Sequence, residues 1–275
     1  MTVQTVVVPI DGSTLSLRAV PAAAAVAAAG QAKVRLVTVA HNDGELAWAY
    51  DQVHAAAEQL PANITSAADV LVDGDPVGVL LDIADDPDNV LCFSTHDRPW
   101  LASELLGRIG SRVVDRASHP FLVVAANGSA PTVGGDVVVG LDGVSDPEPV
   151  LSAAVRWALR LGAGLRIVTV YEPTPPDLRQ PDHYSRSHGP PCDPDLYLDG
   201  IKRGLDGAGL TSCTTAAIPD PVSVAAGLAE HLAERPAFLL VVGGHRRHHW
   251  PTSVLRDLLR ASPPPILVAQ YHGVM

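Results

Sequence analysis

Two aspartates are the first residues that could do chemistry. Asp11 closes the apolar run 5–10 (TVVVPI), Asp142 closes 136–141 (DVVVGL), and a glycine follows each. A carboxylate at such a place can accept hydrogen bonds from a ligand, or it can hold the turn and cap the next helix. A second set is the polar run Ser94-Thr95-His96-Asp97-Arg98 after the apolar residues 91–93, with Gly107-Arg108 further on. A third is Gly243-Gly244, followed by His245-Arg246-Arg247-His248-His249. A turn leading from a strand into a helix N-terminus aims backbone N–H groups and the positive end of the helix dipole at one point, which suits an anion such as a phosphate. The chemistry on offer is therefore binding. No G-x-S-x-G elbow, P-loop or matched carboxylate pair points to catalysis. The histidines 245, 248 and 249 lack the Asp or Cys partners and the spacing of a metal site, so no metal is expected and the cluster reads as a solvated or anion-binding patch.

The elements that position these residues follow from apolar periodicity. In the first half, strands are expected at 6–10, 34–39, 69–72, 91–93 and 121–124, with helices between them. The first helix is Ala-rich and runs to about Ala29; Pro21 means that it starts late or bends. The fourth helix is read from Trp100, because Trp100, Leu101, Leu105, Ile109 and Val113 recur at helical spacing. Strands alternating with helices imply parallel pairing through right-handed crossovers.

The pattern then repeats. VRLVTVA at 34–40 is echoed by LRIVTVY at 165–171, and Thr169 follows Thr38 by 131 residues, the same offset as Asp142 from Asp11. ASHPFLVVA at 117–125 matches ASPPPILVA at 261–269. Two α/β domains are expected, 1–126 and 136–275, each a doubly wound five-stranded parallel sheet with helices on both faces, joined by the linker 127–135 (NGSAPTVGG). The offset grows to 149 between Ser94 and Gly243, which marks the Pro-rich run 172–195 as an inserted surface loop. It falls back to 144 between Ala117 and Ala261, so about five residues are missing after Gly243.

Composition narrows the partners. The chain has 19 Lys and Arg against 30 Asp and Glu, a net charge of −11, which disfavours nucleic acids and anionic membranes. The start, MTVQTVVVPIDG, lacks a basic segment and a long apolar run, and the three cysteines form no framework. A cytoplasmic protein with no spanning helix is expected.

Residues 91–124 resemble the nucleotide segment of the universal stress protein family, and the repeat makes the chain look like its tandem type. ATP-binding members carry G-x-x-G, nine residues, then G-[ST]. Here those positions fall on Ser94, Asp97, Gly107 and Arg108, of which Gly107 alone is kept. In the second half Gly243 keeps the first glycine and Arg246 replaces the second. The resemblance implies that Asp11 and Asp142 lie where adenine binds, and that a modified cradle would draw on Val39, Thr95, His96, Gly107 and Arg108. The replacements argue against ATP: Asp97, at a glycine position, would repel a triphosphate, and Arg108, at the Ser/Thr position, could clasp a phosphate but would fill the cradle. Two readings follow. In the first, a stress-response module with degenerate ATP motifs works by contact with protein partners that the sequence does not identify. In the second, a regulator binds an adenine nucleotide, chiefly in the first half. The resemblance also implies that the final strands of the two halves, 121–125 and 266–269, pair within one molecule as a pseudo-dimer, with a further homodimer left open.

Overall fold

The structure is a computed structural model and describes residues 4–95, 106–128, 130–143, 145–171, 193–219, 223–245, 253–261 and 263–271. The first half runs β1 (Thr5–Pro9), α1 (Ala19–Ala29), β2 (Lys33–Ala40), α2 (Leu46–Ala57), β3 (Ser66–Val72), α3 (Pro76–Asp85), β4 (Asn89–Ser94), α4 (Gly107–Arg116) and β5 (Phe121–Val124). The second half runs β6 (Asp136–Leu141), α5 (Glu148–Leu161), β7 (Leu165–Tyr171), α6 (Pro194–Gly204), β8 (Cys213–Pro219), α7 (Val224–Glu234), β9 (Ala237–His245), α8 (Ser253–Arg260) and β10 (Ile266–Tyr271).

Both halves build parallel strands, and one ten-stranded sheet results, in the order β3-β2-β1-β4-β5-β10-β9-β6-β7-β8. Among the described residues its only antiparallel pair is the central one, β5 against β10, with Leu122 opposite Leu267. Val6, Val7 and Val8 are all fully buried, because helices cover both faces of the inner strands. Alternate residues feed two layers. Val6, Val8, Leu36, Cys92 and Leu122 pack under α1, α2 and α5. Val7, Val37, Leu91, Phe93 and Phe121 pack under α3, α4, α7 and α8. In each half the order 3-2-1-4-5 leaves a crevice between β1 and β4 at the carboxyl ends of the strands, where the crossovers change direction.

Several expected boundaries move. Pro21 sits in the first turn of α1, where its missing N–H costs nothing, so the helix starts late, at Ala19. The fourth helix does not run unbroken from Trp100: Leu106 is non-helical (φ −113°, ψ 17°) and α4 starts at Gly107. Ser94 continues β4, and Gly243 and Gly244 lie within β9 opposite Ala269 and Gln270, so neither strand ends at the expected turn. A residue's polarity does not stop a strand whose ladder partners are in place. The third strand is longer than expected and starts at Ser66, because β2 pairs with it from Val34 to Ala40. The inserted run does not extend to Asp195: Asp193 caps α6, its side chain accepting from the Leu196 amide, and Pro194 takes the first helical position. The rest of that run, 172–192, lies outside the described residues, as do His96, Asp97 and Arg98 and residues 246–249.

Candidate ligand cavity in the first half

The crevice between β1 and β4 is a cavity of about 530 Å³. β1 delivers Ile10 and Asp11 to it, β2 delivers Val37 and Val39, and β4 delivers Phe93 and Ser94. Leu80 of α3 and Leu106, Ile109 and Gly110 at the start of α4 form the opposite wall. A Cβ on Gly110 would stand 2.9 Å from Leu106 Cβ, so the glycine lets Leu106 fold back on the first turn of α4, while Phe93 of β4, at 3.5 Å, would be in ordinary contact.

Asp11 is held by its own turn. Gly12 has φ +78°, and Asp11 Oδ1 accepts from the Ser13 amide at 2.9 Å and the Ser13 hydroxyl at 2.6 Å. Ser13 Oγ in turn accepts from the Ser16 amide at 3.1 Å. The carboxylate thus fixes the loop and does not cap α1, which begins eight residues later at Ala19. Burial tends to raise its pKa; the hydrogen bonds from Ser13 and Ser16 outweigh that and hold it below the ordinary 3.8. The Ser94 hydroxyl donates to the Leu15 carbonyl and ties the loop to β4.

The third side is the passage from β2 to α2. The Asn42 side chain accepts from the Gly44 amide at 2.9 Å, and Glu45 Oε2 accepts from the His41 amide at 2.9 Å. His41, Glu45 and Trp48 all line the cavity. No lysine or arginine is among the described lining residues. The walls suit a flat, largely apolar group, and polar groups sit at the rim. The amides at the start of α4, Gly107 and Arg108 among them, lack intrahelical partners and adjoin the lining residues Leu106 and Ile109.

The expected site residues therefore separate. Asp11 and Val39 meet in the cavity, and the backbone of Gly107 and Arg108 stands at its edge. Thr95 does not line it: the residue is buried, its amide donates to the Val124 carbonyl and its Oγ1 accepts from the Ala126 amide, both at 2.9 Å. Asp142 and Gly243 meet in a second cavity, of about 290 Å³. Part of its wall matches the first through the repeat, with Val168 and Val170 for Val37 and Val39, and Val224 and Leu228 for Pro76 and Leu80. Asp142 is held as Asp11 is, by the Ser145 amide at 2.8 Å and hydroxyl at 2.7 Å. It is the one ionisable side chain among the described lining residues there. Sequence reading gave no place at the site to Ser13, Ser16, His41, Glu45 and Trp48. The serine pair after Asp11-Gly12, which the second half replaces with Val144 and Pro147, was the available signal. Among the described residues, no group of three or more His, Cys, Asp or Glu could hold a metal ion, and no helix is long and apolar enough to cross a membrane.

The universal stress protein family model matches the chain twice, at 2–125 and at 135–270. No curated protein matches the sequence. Among solved structures, a universal stress protein from Archaeoglobus fulgidus superposes with a TM-score of 0.66 at 14% identity, over 98% of this chain and 99% of that one. A functionally unknown protein from Pseudomonas aeruginosa PAO1 does so with a TM-score of 0.60 at 12% identity, over 98% and 92%. A universal stress protein in complex with cAMP is 31% identical over 46% of this chain and 99% of its own, with a TM-score of 0.39. At such identities the two full-length likenesses are of fold. Together with the double match, they make this chain a member of the universal stress protein family, carrying two copies of that unit.

Proposed function

We propose that this protein is a ligand-responsive regulator of the stress response, whose first half holds an adenine-bearing ligand in the cavity beside Asp11. The observation that carries this reading is the cavity itself: about 530 Å³ at the carboxyl ends of β1, β2 and β4, within the range of small-molecule sites. Val37, Val39 and Phe93 supply apolar surface for a base, Asp11 an acceptor for its amino group, and the start of α4 amides without intrahelical partners for an anion or ribose hydroxyls. Gly107 and Arg108 serve through their backbone. The second half, with its smaller apolar cavity, contributes chiefly to the fold and to contacts with protein partners. The junction between the halves lies at 127–135. On this reading the chain works in the reducing cytosol, where free thiols such as Cys92 and Cys213 persist.

The test is calorimetric titration of the full chain with adenine ligands from adenosine to ATP. At least one binds, and it raises the melting temperature as mass action requires. Val39→Trp, which fills the first cavity, removes that binding; Val170→Trp, its second-half counterpart, leaves it. A chain that binds none of them works by protein contact alone, the reading favoured by the replaced glycine positions Ser94, Asp97 and Arg246.

A further inference from the structure

Two carboxylates, Asp11 and Glu45, line the first cavity, and neither is loosely placed. Asp11 is held by the Ser13 amide and hydroxyl, and Glu45 accepts from the His41 amide at 2.9 Å. Among the described arginines of the first half, Arg18, just before α1, donates from Nη1 to the Ala126 carbonyl at 3.1 Å, and Arg35 of β2 pairs with Asp69 at 2.6 Å; neither lines the cavity. A ligand with several negative charges would meet two fixed carboxylates on the cavity lining, where repulsion is stronger than in bulk water.

The same rim holds a flat aromatic. Trp48, in the first turn of α2, is 43% exposed although it is the largest apolar side chain at the cavity. Its Cζ2 stands 2.9 Å from the place a Cβ on Gly12 would occupy. With φ +78° and no Cβ, Gly12 is what lets the indole lie on the Asp11 turn. A half-exposed indole on a fixed turn beside a cavity is a stacking surface for a planar base. The second half has Tyr197 at the matching position, 149 residues on, and Tyr197 is not among the described residues lining the second cavity.

We propose that the first cavity takes a nucleoside, or a nucleotide of at most one negative charge, with its base against Trp48, in preference to a nucleoside triphosphate. This rests on the reading that an adenine-bearing ligand occupies the cavity, and adds the ligand's charge class and a specificity-determining residue. The experiment titrates the full chain with adenosine and with magnesium-free ATP at low and high salt, read by calorimetry and tryptophan fluorescence. Adenosine binds at least about tenfold tighter than ATP at low salt, and the gap narrows as salt screens the carboxylates. Glu45→Gln raises ATP affinity more than adenosine affinity. Trp48→Ala weakens adenosine about tenfold, while Trp48→Phe keeps most of the affinity. The exposure of Trp48 makes misfolding of these variants no obstacle. ATP binding as tightly as adenosine at low salt overturns the preference for low charge and leaves the adenine reading standing. Trp48→Ala without effect on adenosine overturns the stacking role. Failure of both ligands to bind overturns the proposal and that reading together.

Discussion

Asp11 has two uses that compete for one carboxylate. Oδ1 takes both bonds from Ser13, so the residue is part of the scaffold before any ligand arrives. Because its folded pKa is depressed below 3.8, the ionised form contributes stability above that value, and the contribution is lost as pH falls through the folded pKa. Asp11→Ala is therefore expected to cost about 1 kcal/mol near neutrality, the net worth of such hydrogen bonds. The difference from the natural chain shrinks as the pH is lowered below 3.8. Urea denaturation at several pH values checks this, and a cost independent of pH would contradict it. Cys92, by contrast, is a packing residue: full burial pushes its thiol up to about 12, where it is neither nucleophile nor ligand.

The repeat lets one element be compared with its own copy. Arg35 on β2 and Arg166 on β7 occupy the same place, yet their surroundings differ. Arg35 pairs with Asp69 on β3 while both remain about a third exposed. Arg166 is buried; its Nη2 meets Asp136 Oδ2 at 2.7 Å and its Nη1 donates to the Arg235 carbonyl at 2.8 Å. Removing the partner should cost little in the first case and much in the second, because only the second leaves a desolvated cation unpaired. Asp136→Ala is expected to destabilise by about 3 kcal/mol and Asp69→Ala by less than about 1 kcal/mol. Chemical denaturation of the two variants decides it; equal costs would mean that burial does not govern these pairs. A glycine makes the β7 arrangement feasible, since a Cβ on Gly164 would stand 2.6 Å from Asp136 Oδ1.

At the scale of the molecule, the two copies close each other's edge. β5 is four residues long and entirely buried, and β10 covers it antiparallel. Gln270 of β10 also donates to the Val114 carbonyl of α4 at 3.4 Å across the junction. Without the second half, β5 would present an apolar edge with unpaired backbone groups. A chain ending at Gly128 should therefore dimerise through β5, replacing β10 with the β5 of a second copy. Light scattering on that chain tests the point, and a stable monomer would show that β5 needs no partner.

Much of this protein was legible in its sequence, because periodicity and repetition are local. The run TVVVPIDG and its echo DVVVGLDG announced two copies of a strand entering a turn, and the alternation of strands and helices implied parallel pairing. Polarity misled at Ser94 and Gly243, where ladder partners on neighbouring strands carry the extended backbone further than the residue types suggest. The cavity was legible only in part: Asp11 and Val39 were read as site residues, while Glu45, Trp48 and Phe93 were not. It brings together Asp11, Glu45, Trp48 and Phe93, residues whose proximity arises only when β1, β2 and β4 lie side by side and α2 folds back over the turn. A charge pattern at a site depends on distances through space, and those are set by packing between elements far apart in the chain.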